Sequence, residues 1–187
     1  VVGDLEDLCG MRANPVSSIR LYDCRLPLDN LLGREGMGLK IGLAALDTGR
    51  MGIAAQALGI AQAALEEGIL YAGQRRQFKV PLAKHQAIQM MIADMGTLVE
   101  ASRLMTYRAA ALRDSGKRFS QESAMAKLFA SEACCKVTDM AVQIHGGYGY
   151  SKAYPVERYY RDARVTRIYE GSSEIHRMVI ARGVLGK

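Results

Sequence analysis

Between Met37 and Gln74 apolar side chains recur at Leu39, Leu43, Leu46, Ile53, Ala57, Ile60 and Ala64, the three-and-four spacing of one amphipathic helix. At 1.5 Å per residue such a helix runs on the order of 50 Å. Pro81 opens a second helix over roughly Lys84 to Ser115, with its stripe at Ile88, Ile92, Met95, Val99, Met105, Ala109 and Leu112 and Gly116 at its end. A third starts at Ser120, whose hydroxyl is expected to cap it, and continues to about His145. Its inward positions are small: Ala124, Ser131, Cys135 and Thr138 among Leu128 and Val142. Pro155 opens a short helix through Ala163, and Ser172 or Ser173 caps a last one to about Gly183. Five helices, three of them long, imply an all-α fold, an antiparallel helical bundle.

Ahead of the bundle, residues 17 to 27 alternate Ile19, Leu21 and Asp23 against Arg20, Tyr22 and Cys24, between Asn14-Pro15 and Pro27. This reads as a single strand. One strand cannot form a sheet, so its partners are expected in another chain or in a missing part of this one. The character changes after Leu31-Leu32-Gly33. The opening Val1-Val2-Gly3-Asp4 has no apolar signal core and no initiator Met, which suggests a piece of something longer.

Composition narrows the functional classes. No run approaches the roughly 20 apolar residues of a membrane span, so a soluble protein is expected. Cys9, Cys24, Cys134 and Cys135 show no CxxC spacing, and the adjacent pair could bridge only under strain, which suggests a reducing compartment. His85, His145 and His176 make no ligand spacing with them, so no metal is assigned. Net charge is +6, and residues 151 to 187 hold eight Lys or Arg against four Asp or Glu. That basic end is expected to face an anion. Its bases alternate with acids and have few aromatic neighbours, so a phosphorylated small molecule fits better than a nucleic acid.

Four segments carry candidate chemistry. Ile168-Tyr169-Glu170-Gly171-Ser172-Ser173-Glu174-Ile175 puts a carboxylate ahead of a helix start, where it could be a catalytic base or an ordinary dipole partner. Gln143-Ile144-His145-Gly146-Gly147-Tyr148-Gly149 ends a helix with bare backbone that could approach a phosphate, or that only forms a loose cap. Arg50 interrupts the apolar stripe of the first helix. An inward charge needs a partner, and Asp47 is the local one; the pair is either structural or marks where the bundle opens onto a ligand. In Gln74-Arg75-Arg76-Gln77-Phe78, between the first two long helices, two guanidinium groups and an aromatic could clamp a phosphate and a ring.

Those segments, with Asp47-Thr48-Gly49-Arg50, Tyr154-Pro155-Val156-Glu157-Arg158 and Arg161-Asp162-Ala163, resemble the acyl-CoA dehydrogenase family in order and spacing over essentially the whole chain. The short-chain, butyryl-type branch is the most similar. The resemblance implies that residues 1–33 are the end of a middle β domain and its linker, and residues 34–187 a C-terminal helical bundle. It implies FAD as cofactor and Glu170 as the base that removes the α proton of an acyl-CoA thioester while the β carbon gives up a hydride. The Glu170 N–H would steady the thioester oxygen. Asp47, Arg50, Tyr169 and Gly171 would line the acyl-CoA site. Arg75, Phe78 and Gln86 would reach FAD across a dimer interface, Gln143, Gly146 and Gly147 would run along a neighbouring subunit's FAD, and Ser172 and Glu174 would touch the FAD of their own subunit.

By the same resemblance, electrons pass to an electron-transfer flavoprotein, and homodimers or homotetramers form in a bacterial cytoplasm or mitochondrial matrix. The chain as it stands is expected to be inactive or nearly so. Ser172 stands where the family usually has threonine, and Lys79 where it has glycine. Gly49 occupies the position that carries the base in isovaleryl and long-chain relatives, so Glu170 is unopposed. The alternative is a DNA-binding or structural oligomerisation module of the same architecture.

Overall fold

Three long helices carry the architecture: α1 (Gly38–Gln74), α2 (Gln86–Asp114) and α3 (Ser120–His145), followed by α4 (Val156–Val165) and α5 (Ser173–Val184). This is a computed structural model, and it describes residues 1–186. Helix α3 lies at the centre, packed on all four others and most extensively on α1. Its buried face consists largely of Ala124, Ala126, Ala130, Ala133, Cys134 and Ala141. Side chains that small let neighbouring helix axes approach closely, which is how one helix accommodates four partners.

The expected stripe of α1 is corrected by the structure. Leu39 is 78% exposed and Leu43 is also exposed, because the first turns of α1 have little packed against them. From Arg50 onward the buried face is Met51, Ala54, Ala57, Leu58, Ala61, Ala64 and Leu65. One cap is corrected as well, and a second keeps its position but not its side-chain bond. Phe119 holds the N-cap position of α3, and the Ser120 hydroxyl bonds Asp47 of α1 instead. Ser172 holds the N-cap position of α5 without a side-chain capping bond.

The strand expected over residues 17 to 27 is only Ser17–Ile19 (β2), and its partner lies within the chain. It pairs antiparallel with β1 (Val2–Leu5), Val2 opposite Ile19 and Leu5 opposite Ser17. Beyond it the extended course breaks at Asp23, whose φ of +44° is left-handed. The segment after β1 is tied to the bundle: the Met11 N–H donates to Asp162, and the Arg161 guanidinium donates to the Cys9 carbonyl. A Cβ at Gly10 would overlap the Arg161 carbonyl, so this crossing needs glycine.

Between α1 and α2 the chain makes a small hairpin, β3 (Arg76–Gln77) against β4 (Val80–Pro81). Both turn residues, Phe78 and Lys79, have positive φ, the geometry of a type I′ turn. The second helix begins two residues later than expected, after one 3-10 turn at Leu82–Lys84. No described helix is long and apolar enough to cross a membrane.

Candidate active site

Helix α4 ends at Val165, and the chain turns through Thr166 to Glu170 before α5 begins at Ser173. Glu170 has φ +55° and Gly171 φ +96°, two left-handed residues in succession. This reversal carries the Glu170 carboxylate back onto α1. A Cβ at Gly49 would overlap the carboxylate carbon and Oε2 and press on Oε1. Bare backbone at Gly49 is therefore what lets the acid lie there. One carboxylate oxygen, Oε2, is buried without a hydrogen-bond partner, and Glu170 joins no ion pair among the described residues. Its own N–H likewise has no acceptor among them.

Around this carboxylate stand three groups capable of positive charge. Arg50, 7% exposed, pairs with Asp47 at 2.7 Å, and Asp47 also accepts from Ser120 at 2.5 Å. The local ion pair expected from spacing is present. Lys127 of α3 is wholly buried, and its Nζ donates to the Gly171 carbonyl at 2.6 Å. Burial, and then Arg50, lower its pKa to about 8, against the opposing pull of Glu170 and Glu174. His176 of α5 is wholly buried with both ring nitrogens unpaired, and burial, followed by the charges of Lys127 and Arg50, lowers its pKa to about 4. A Cβ at Gly171 would press on its ring at 3.2 Å, so glycine is required twice at this position, for space and for φ.

Sequence reasoning missed Lys127 and His176. A signal existed for Lys127, which is in phase with Ala124, Ala130, Ser131 and Cys134 on the small inward face of α3. The other residues singled out nearby take definite places. The Tyr169 hydroxyl donates to Gln56 of α1 at 2.5 Å. Glu174 is exposed on the first turn of α5, and the adjacent Ser172 hydroxyl lowers its pKa.

The remaining candidates gather at the far end of α1. From Asp47 to Arg75 the helix runs roughly 40 Å at 1.5 Å per residue, so these residues form a second, separate cluster. Arg75, Gln143, Gly146 and Gly147 line one cavity of about 550 Å³ together with Tyr71 and Tyr148. Gly146, with φ +60°, ends α3, and a Cβ at Gly146 or Gly147 would meet nothing within 4 Å, which leaves their backbone open to a ligand. The wall is aromatic: Tyr71 stacks on His145 with centroids 4.1 Å apart, and the Arg75 guanidinium lies 5.6 Å over Tyr148. Phe78 and Gln86 are not in this cavity. Phe78 is 89% exposed at the hairpin tip, edge-on to His85 at 6.0 Å, and Gln86 is the exposed first residue of α2. A guanidinium that joins no ion pair among the described residues, a carboxamide, aromatic faces and bare backbone form a set of groups that suits a phosphate-bearing ring system such as FAD.

Residues 36–185 match the family model described as the C-terminal domain of acyl-CoA dehydrogenase. The chain belongs to the acyl-CoA dehydrogenase family. The mitochondrial short-chain specific acyl-CoA dehydrogenase of Rattus norvegicus is 54% identical over 98% of this chain and 45% of its own length. Butyryl-CoA dehydrogenase from Megasphaera elsdenii superposes with a TM-score of 0.98 at 46% identity, covering 99% of this chain and 48% of that one. A chain from a structure described as the electron transferring flavoprotein of Acidaminococcus fermentans gives the same TM-score at 47% identity, covering 100% of this chain and 49% of that one. The chain thus spans about half the length of the relatives it matches. Within the family frame, the two clusters lie on one helix of one domain, too far apart to touch the same atoms of a ligand.

Proposed function

We propose that this chain is the C-terminal half of a FAD-dependent acyl-CoA dehydrogenase, residues 1–33 finishing a β domain and residues 34–187 forming the helical domain. Its reaction is the α,β-dehydrogenation of short-chain acyl-CoA thioesters to trans-2-enoyl-CoA. The observation that carries this reading is the Glu170 carboxylate, held against Gly49 by a left-handed turn with one oxygen buried and unpaired. An acid so placed has no structural partner to occupy it and is free to accept a proton.

In this reading Glu170 removes the α proton of the thioester. The thioester oxygen gains negative charge as that proton leaves, and the Glu170 N–H is a free donor for it. Gly171 presents bare backbone beside the substrate, while Asp47 and Arg50 of α1, with Tyr169 held to α1 through Gln56, line its site. FAD, when bound, supplies the acceptor for the hydride that leaves the β carbon. Ser172 and Glu174 hold FAD of the same subunit. Arg75, Gln143, Gly146 and Gly147, with Phe78 and Gln86 beside them, hold FAD of a neighbouring subunit in a homodimer or homotetramer. The roughly 40 Å between the clusters supports assigning them to different FAD molecules.

The short-chain assignment rests on similarity to short-chain and butyryl-CoA dehydrogenases. The electron acceptor is an electron-transfer flavoprotein, a reading supported by the similarity to the Acidaminococcus fermentans chain. A bacterial cytoplasm or a mitochondrial matrix would supply both. The test is turnover of the full-length protein on acyl-CoA esters of increasing length with an artificial electron acceptor. The highest kcat/KM is expected on butyryl-CoA, and a maximum on long-chain esters would overturn the assignment.

A further inference from the structure

A wholly buried lysine bonded to a main-chain oxygen one residue past the proposed base requires an explanation. Taking an ammonium group out of water is unfavourable, and replacing a buried ionic group by an apolar side chain of similar volume is often neutral or stabilising. Among the described residues Lys127 is the largest side chain with essentially no exposure. Its retention is therefore poorly explained by stability alone, and what it holds is the Gly171 carbonyl, at 2.6 Å.

We propose that Lys127 is a positioning residue for Glu170: by fixing the Gly171 carbonyl it locks the left-handed turn that presents the carboxylate over Gly49. This rests on the assignment of Glu170 as the base. The turn has little else to hold it. The Glu170 N–H makes no bond among the described residues, and the backbone bonds flanking Gly171 are Ser173 N–H to the Arg167 carbonyl and His176 N–H to the Ser172 carbonyl, both at 3.1 Å, neither of which holds residue 170 or 171 itself. Glu170 at φ +55° is the strained residue of this turn, whereas Gly171 adopts φ +96° freely, so residue 170 keeps its conformation only while contacts around it, such as the one to the Gly171 carbonyl, hold the turn. A displacement of about 1 Å at a reacting group can lower a rate by about 10²-fold.

The charge acts in the same direction as the bond. Facing Lys127 are Arg50 from α1, Glu170 from the turn, and Glu174 and His176 from α5. A cation at this point attracts the carboxylate of Glu170, while Arg50 is already neutralised by Asp47.

The experiment uses the full-length FAD-loaded protein as wild type, Lys127→Met, Lys127→Gln and Glu170→Gln. The readouts are FAD content, thermal midpoint, kcat and KM for butyryl-CoA, and exchange of the α protons of a bound acyl-CoA into deuterated water. Lys127→Met should keep its FAD, melt no lower than wild type and keep KM within about twofold, while kcat and α-proton exchange both fall by tenfold or more. Lys127→Gln, which keeps an N–H donor, should fall less than Lys127→Met in both. If Lys127→Met holds FAD and exchanges α protons at the wild-type rate, or if both variants lose FAD and melt lower, Lys127 is structural only and the inference fails. A Glu170→Gln protein with wild-type exchange would instead overturn the assignment of the base itself.

Discussion

The carboxylate of Glu170 occupies the space that a side chain at Gly49 would fill. Two residues far apart in sequence therefore constrain each other directly. Alanine in place of glycine inside a helix gains up to about 1 kcal/mol of helix stability, while the atom it displaces is the end of a flexible side chain. The two effects act on different properties. Gly49→Ala should leave the thermal midpoint unchanged or higher and lower kcat by about 10²-fold, since the carboxylate must move by about an ångström or more. Melting and steady-state kinetics on the same preparation check both halves.

Lys127 should leave a mark on stability at alkaline pH. Its folded pKa of about 8 lies below the unfolded value near 10.5, so between these the unfolded chain binds more protons and rising pH favours the folded state. The full penalty applies below pH 8, on the order of 3 kcal/mol, and disappears toward pH 10.5. Urea midpoints of wild type should rise across this window relative to those of Lys127→Met; parallel curves would contradict the burial of a charged lysine.

His176 should act at the acid end. Its folded pKa of about 4 lies below the unfolded value of 6.5, so stability is full above pH 6.5 and is lost as pH falls toward 4. His176→Gln should flatten that acid limb. An acid limb identical to wild type would show that the imidazole is not held neutral in the fold.

Lys79 sits at φ +69° in a turn position that glycine adopts freely. Left-handed backbone costs a residue with a Cβ about 1–2 kcal/mol, partly offset in a glycine variant by the greater freedom of its unfolded chain. Lys79→Gly should therefore stabilise by up to about 1 kcal/mol, and Lys79→Val should destabilise by more than that. Thermal midpoints of the two variants are the check.

The helical part of the fold was legible where backbone chemistry punctuates it. Gly116 and Gly146 mark the ends of α2 and α3 to within two residues, and Pro81 opens the 3-10 turn that leads into α2, because proline and glycine act on the backbone whatever surrounds them. The burial phase of α1 was not legible at Leu39 and Leu43, since periodicity shows which residues share a face and not whether anything covers it. Strand β1 has four residues and no alternation long enough to register. At the site, the segment around Glu170 stands out by composition, whereas its contact with Gly49 is a tertiary fact with no local trace. Lys127 leaves no comparable trace, because a lysine on a small-residue face reads as the edge of that face, and its bond to the Gly171 carbonyl is a tertiary contact.

The most direct measurement is α-proton exchange in the full-length Glu170→Gln protein with FAD bound, since exchange reports the base without requiring electron transfer. With Glu170 as the base, exchange falls by about 10²–10⁴-fold while the flavin spectrum and acyl-CoA binding persist. Exchange at the wild-type rate in that protein would show that another group takes the proton.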